Sequence, residues 1–445
     1  TAGMSETGFL ERDTIGRALE SALKDAAEDL PPPEHAEAFG AMFDRFGAAR
    51  LVLLGEATHG TSEFYRARAA ISRHLIRHHG FNVVAVEADW PDAAGIDRHV
   101  RHGLADPGRS EAFARFPSWM WRNEEVLEFV EWLRTENELR HSSARVEFRG
   151  LDIYSLSGSI AAVLGYLDRV DPQAARQART RYGCLTPWQQ VPSSYGHHAM
   201  MGGDTCENEV CDQLMTLLYR QLEYAARDGD SFFDAAQNAR IVRAAEQYYR
   251  IMYRGSRESW NLRDRHMFET LQRLLAYRQD AKAIVWAHNS HIGNAAATAM
   301  GWEGEFNIGE LCRTAHGEEM VAIGFGTDRG TVAAASGWDS PMEIKQVLPA
   351  RADSYEYLFR RCGHARALFD WRGRNALLRE LLSQPRLERA IGVVYRPESE
   401  LLSHYFRAVM AEQFDAMVWF ETSRAVTPLP TARPAGTPET YPFGL

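Results

Sequence analysis

His59 follows Glu56 by three residues in Gly55-Glu56-Ala57-Thr58-His59-Gly60, directly behind the apolar run Leu51-Val52-Leu53-Leu54. An imidazole moves protons near neutral pH, and a nearby carboxylate can orient it or share a ligand with it. A helical pattern begins at once after Gly60. A buried strand, then ionisable groups, then a helix is the arrangement at the carboxyl edge of open α/β sheets, where ligands bind. Three other apolar runs end the same way. Residues 82–88 end at Glu87, residues 146–152 end at Asp152, and residues 281–287 run into His288-Asn289-Ser290-His291. Parallel strands deliver their carboxyl ends to one edge, so these groups are expected to converge.

Several familiar chemistries have no residues to carry them. The chain has no Gly-x-Ser-x-Gly elbow and no cysteine beside a partner histidine. Gly324-Phe-Gly-Thr-Asp-Arg-Gly330 lacks the spacing and the lysine of a phosphate loop, and no His-Glu-x-x-His helix occurs. Histidine with carboxylates and no protein nucleophile suits general-base attack by water. On this reading His59 is the base, Glu56 or Glu87 fixes its tautomer, and His288 with Arg263 holds the developing oxyanion. The same residues also suit a divalent metal, which leaves a metal-dependent hydrolase as an alternative. A third reading is a small-molecule binding protein without turnover.

Arg263 lies in Ser259-Trp260-Asn261-Leu262-Arg263-Asp264. It suits an electrostatic clamp or, equally, a solvated helix face. Asp152, Trp260, His291 and His404 are the candidate substrate-binding residues, with further tryptophans available to line a pocket.

The elements that must position these groups follow from periodicity. Residues 13–29 read as an amphipathic helix through Ile15, Leu19, Leu23 and Ala26, stopped by Pro31-Pro32-Pro33. Strands are expected at 50–54, 82–88, 146–152 and 281–287. A strand pair is expected at 320–326 and 331–335, with last strands at 390–395 and 416–420. Helices are expected at 62–79, 206–227, 231–254 and 257–277. Strands alternating with helices predict an α/β fold: a mainly parallel sheet core flanked by helices, with a helical insertion or cap. The expected organisation is an N-terminal helical segment (1–49), an α/β catalytic core (50–154 and 278–427), the helical insertion (155–277) and an irregular tail (428–445).

The 445 residues are 45% hydrophobic and 25% charged, as in globular proteins with a sizeable core. A net charge of −10 disfavours nucleic acid and anionic membrane surfaces as partners. Five cysteines, an odd number in a long chain, argue against a disulfide framework. Cys206 and Cys211 are too far apart for a zinc knuckle. No apolar run is long enough to span a bilayer, and the first residues lack a signal-peptide pattern. The expectation is a cytoplasmic enzyme acting on a small molecule.

Gly55-Glu56-Ala-Thr58-His59-Gly60, Val86-Glu87, Gly150-Leu-Asp152, Trp260-Asn-Leu-Arg263-Asp264, Trp286-Ala-His288-Asn and Asn307-Ile-Gly309, in that order, resemble the erythromycin esterase family. The resemblance runs from about residue 40 to 430. The ending, with Tyr395-Arg-Pro-Glu398, Ser403-His404-Tyr-Phe406 and Ser423-Arg-Ala-Val-Thr-Pro428, looks like the broad branch of the family more than its dedicated macrolide-resistance enzymes. The resemblance implies an α/β core with a helical part and a hydrolase that opens a macrolide lactone with activated water. It implies His59 as general base, with Glu56, Glu87 and His288 completing the site. It implies no required cofactor, although related proteins use metals.

Overall fold

The computed structural model describes residues 6–103, 112–373 and 376–430. The chain packs as two compact units. The first comprises residues 1–84, 119–132 and 280–429; the second comprises 85–118, 133–279 and 430–445. Most of the tail expected to be irregular lies outside the described residues.

Helices α1 (Glu6–Ala26), α2 (Ala36–Ala41) and α3 (Ser62–His79) belong to the first unit. The strands in chain order are β1 (Glu28–Asp29), β2 (Leu51–Leu54), β3 (Val83–Asp89), β4 (Glu147–Asp152), β5 (Ala283–Trp286), β6 (Met320–Ala335), β7 (Met342–Val347), β8 (Arg366–Asp370), β9 (Arg386–Arg389), β10 (Tyr405–Ala408) and β11 (Ala416–Ser423). Within the first unit the sheet order is β1-β8-β11-β6-β2-β5, with β7 paired to β6. The β5–β2–β6–β11 run is parallel, and β7, β8 and β1 add antiparallel pairs at its margins. β2 is flanked by parallel neighbours and carries four fully buried side chains, which is why Leu-Val-Leu-Leu shows no polar alternation.

Three expectations about this unit are corrected. The helix read over 13–29 ends at Ala26, because Glu28 and Asp29 pair with β8. The strand pair around Asp328-Arg329-Gly330 is one 16-residue strand, β6. It passes from β11 to β7 as partner at Gly330, whose φ of 134° and contact with the Ser423 carbonyl admit no side chain. Residues 390–395 form no strand; Ile391 and Val394 make single bridges to Thr58 and Ala335 instead.

The second unit contains residues 85–89 of β3, with β4 beside them, and a helical body. Its helices Leu156–Val170, Glu207–Tyr219, Gly229–Ile251 and Ser256–Tyr277 include the long ones expected. The stretch read as one helix over 206–227 breaks at Arg220. Leu156, Val163, Tyr166, Leu214, Val242 and Tyr249 are among the buried side chains of its own apolar core. Cys184 and Cys206 form a single disulfide there, a pairing that the spacing of the five cysteines did not indicate.

Candidate functional site

The segment from Gly55 to Thr61 leaves β2 and enters α3 as a loop pinned on several sides. The Glu56 carbonyl accepts from Asn289 N at 2.8 Å, and the Ala57 carbonyl accepts from Ile391 N at 2.8 Å. The Gly60 carbonyl accepts from Ala333 N (3.1 Å) and Val426 N (2.9 Å). A Cβ at Gly60 would stand 2.0 Å from the Ala333 carbonyl oxygen, so only glycine lets the loop lie this close to β6. Tyr65 Oη donates to the His59 carbonyl at 2.9 Å.

This loop sets a carboxylate between an imidazole and a guanidinium. His59 Nδ1 is 2.7 Å from Glu56 Oε1, and Arg68 Nη2 donates to Glu56 Oε2 at 2.9 Å. All three side chains are fully buried. The Arg68 guanidinium also lies over the rings of Tyr65 (4.7 Å) and Trp286 (5.1 Å). Burial pushes the Glu56 carboxyl above its usual range, and the charge of Arg68 is the largest influence opposing this. A carboxylate beside that guanidinium accepts the Nδ1 proton of His59, which leaves the lone pair on Nε2.

His288 stands next to this group, its ring centroid 4.8 Å from that of His59. Its Nδ1 accepts from Ser290 N at 3.1 Å, so the proton sits on Nε2, which is 3.1 Å from the Ile391 carbonyl. Burial, reinforced by repulsion from His59, pulls its pKa down to about 3. His288 is therefore a neutral imidazole at physiological pH, not a cation. His291 is also fully buried, one short helical turn on.

In the second unit, Arg263 on the helix Ser256–Tyr277 is not a solvated face residue: it is 2% exposed. Its Nε and Nη2 donate to Asp152 at 3.0 and 2.8 Å, and Nη2 reaches Glu87 at 3.3 Å. Burial opposes its charge, but Asp152, followed by Tyr154 and Glu87, outweighs that and holds the guanidinium protonated. Its ring partner is Tyr154, at 5.1 Å. Nη1 has no hydrogen-bond partner among the described residues. Trp260 is buried on the same helix.

Glu56, His59, His288 and His291 come together in the first unit, and Glu87, Asp152 and Arg263 come together in the second. Glu56 Oε1 contacts His59, and Glu87 accepts from Arg263. His404 uses both ring nitrogens on backbone, accepting from Arg396 N (3.0 Å) and facing the Ala390 carbonyl (3.3 Å). Arg68 was absent from the expected site. Its signal is an arginine inside the buried stripe Phe64, Arg68, Ile71 and Leu75 of α3. Among the described residues, the one group whose ligand atoms all lie within 4.8 Å of one another is Asp44, His74 and His79, away from this loop.

Fold and site together define an α/β protein with a carboxylate-oriented histidine at the carboxyl end of a central strand. The chain belongs to the erythromycin esterase family, whose pattern matches residues 76–423. Glu56 and His59 precede the matched span. A curated relative, erythromycin esterase type II of Escherichia coli, is 22% identical over 322 residues, covering 68% of this chain and 75% of the relative. A putative hydrolase of Bacillus subtilis, YbfO, is 25% identical over 127 residues, which is 28% of this chain and 27% of that protein. The fold is similar to that of a Bacillus cereus protein, at TM-score 0.79 and 19% identity, covering 93% of this chain and 99% of that one. It is also similar to an erythromycin esterase mutant in its open conformation, at TM-score 0.62 and 19% identity, covering 87% and 94%. Family membership supports a hydrolase.

Proposed function

We propose that this chain hydrolyses a carboxylic ester or lactone of a small, macrolide-like molecule by activating water with His59. The observation that carries the reading is the Arg68–Glu56–His59 chain of contacts, with 2.9 and 2.7 Å steps in a fully buried setting. Such a chain fixes one tautomer and stabilises the imidazolium that forms when Nε2 takes a proton. The water oxygen bonds to the carbonyl carbon as its proton passes to Nε2, giving a tetrahedral oxyanion. Collapse of that intermediate breaks the C–O bond to the leaving oxygen, which takes the proton back from the imidazolium. A lactone opens to a hydroxy acid and an ester yields acid and alcohol. The proposed reaction draws on no cofactor.

The test is mass spectrometry of a panel of esters and lactones, macrolides included. Wild type, His59→Gln and a chelator-treated sample are compared. The expected outcome is addition of one water by wild type with or without chelator, and a loss of about 10²–10⁴-fold or more in His59→Gln. Turnover by His59→Gln at the wild-type rate overturns the role of His59. Loss of turnover with chelator, regained on adding metal, turns the reading to a metal-dependent hydrolase.

A further inference from the structure

The last two turns of α3 carry three histidines, His74, His78 and His79, and the hydrolytic reading uses none of them. Two of them aim at one acceptor. His74 Nε2 lies 2.8 Å and His79 Nε2 2.7 Å from the same oxygen, Asp44 Oδ1. Asp44 opens the short 3-10 turn Asp44–Phe46. Each of the three offers a ligand atom within 4.8 Å of the others. The Asp44 side chain is 64% exposed, His74 13% and His79 23%, so the cluster is solvent-accessible on one side and walled on the other.

The backbone around the cluster is built to hold the rings in place. A Cβ at Gly47 would stand 2.2 Å from the His79 ring, so the imidazole is packed flat on bare main chain. Lys282 Nζ donates to the carbonyls of both Gly47 and His79, at 2.7 Å each, tying the turn to the end of the helix. A Cβ at Gly40 would meet the Ala70 carbonyl at 2.7 Å and His74 Cβ at 2.8 Å, which sets α2 against α3 at His74. The His78 ring lies 4.6 Å from that of His74.

We propose that Asp44, His74 and His79 form a divalent transition-metal site of the zinc class, remote from the hydrolytic loop. Two imidazole nitrogens and one carboxylate oxygen suit Zn²⁺, with the solvent side open for water as fourth ligand. In a tetrahedral ion with bonds of about 2.0–2.1 Å the ligand atoms stand about 3.3 Å apart, roughly half an ångström beyond the contacts present. Exposed Asp44 can supply that shift. With Nε2 on the metal, each ring carries its proton on Nδ1. The ion would clamp the Asp44–Phe46 turn to the end of α3. At about 1.5 Å per residue, His74 and His79 stand about 18 and 26 Å along α3 from Ser62, which separates this cluster from the loop that ends where α3 begins. The bound ion therefore acts on stability, with no part in turnover.

The test is calorimetric titration of chelator-stripped, full-length protein with Zn²⁺, together with anomalous diffraction from Zn²⁺-grown crystals. The expected result is one equivalent bound by wild type and by His288→Asn. Affinity falls at least about tenfold in Asp44→Asn and is lost in His74→Gln/His79→Gln. The anomalous peak falls between Asp44, His74 and His79. Zn²⁺ raises the thermal midpoint of wild type and leaves that of the double variant unchanged. Asp44→Asn, at an exposed position, keeps the comparison informative if the double variant folds poorly. Equal affinity in wild type and Asp44→Asn overturns the proposal. So does a peak elsewhere, loss of the equivalent in His288→Asn, or no binding at about 1 mM Zn²⁺, a concentration at which even weak sites fill.

Discussion

Arg68 and Glu56 illustrate how a buried pair constrains substitution. Removing one partner of a fully buried ion pair costs about 3–5 kcal/mol, because the other charge is left uncompensated. Arg68→Met is expected to destabilise the fold by that order in urea unfolding. It also removes the largest influence opposing the upward push of burial on the Glu56 carboxyl, so His59 loses its oriented tautomer and turnover falls. The double variant Arg68→Met/Glu56→Gln carries no orphaned charge. It should regain most of the stability and none of the activity, a split that separates the catalytic role from the structural one. His288 gives a pH signature. It is neutral in the folded state with its pKa near 3, whereas an unfolded histidine titrates near about 6.5. The unfolded chain then binds the extra proton, so stability falls as pH drops from about 6.5 towards 3, by about 1.4 kcal/mol per pH unit at most for this one group. His266, lowered to about 4 by burial, acts in the same sense. Urea unfolding of His288→Asn between pH 7 and 4 should show a shallower decline than wild type, with the share of His266 retained.

At the scale of elements, the site depends on how closely the β2–α3 loop lies against β6. Gly60→Ala forces a methyl to 2.0 Å from the Ala333 carbonyl oxygen and threatens both hydrogen bonds accepted by the Gly60 carbonyl. Overpacking of this kind costs about 1–3 kcal/mol, and here it also displaces His59. Thermal unfolding should show the loss, with activity falling beyond what the unfolded fraction explains. Gly183→Ala is the control, since a Cβ there meets nothing within 4 Å and φ is −56°. It is expected to be neutral or slightly stabilising. The loop and α3 were legible because β2 is a short, uniformly apolar run followed by a strong 3.6-residue period, and α3 was read to its observed limits, Ser62–His79. β6 was misread because Gly330 looks like a turn residue. Its freedom is used to carry one strand past Ser423 from one partner to the next. The chain over 390–395 has strand composition, yet what it has for neighbours allows only single bridges.

For the whole molecule, the Cys184–Cys206 disulfide closes a loop with a sequence separation of 22 in the helical unit. A loop of that length is worth about 3 kcal/mol through the unfolded chain. Reductant should lower the thermal midpoint of wild type and leave Cys184→Ser/Cys206→Ser unaffected. No helix among the described residues is long and apolar enough to cross a membrane. The sequence by itself determined the α/β class, because strand and helix periods are local properties of the side chains. It also set Glu56 within reach of His59, because three residues of spacing in a strand-end loop allow that contact, while it left Glu87 open as the alternative carboxylate. Tertiary structure alone decided three matters of partnership. Arg68 on α3 compensates Glu56, Arg263 takes both Asp152 and Glu87, and two of five cysteines meet. Each joins residues by packing between elements, and which buried charges or thiols face one another is fixed by how helices and strands stack, not by what precedes or follows them in the chain.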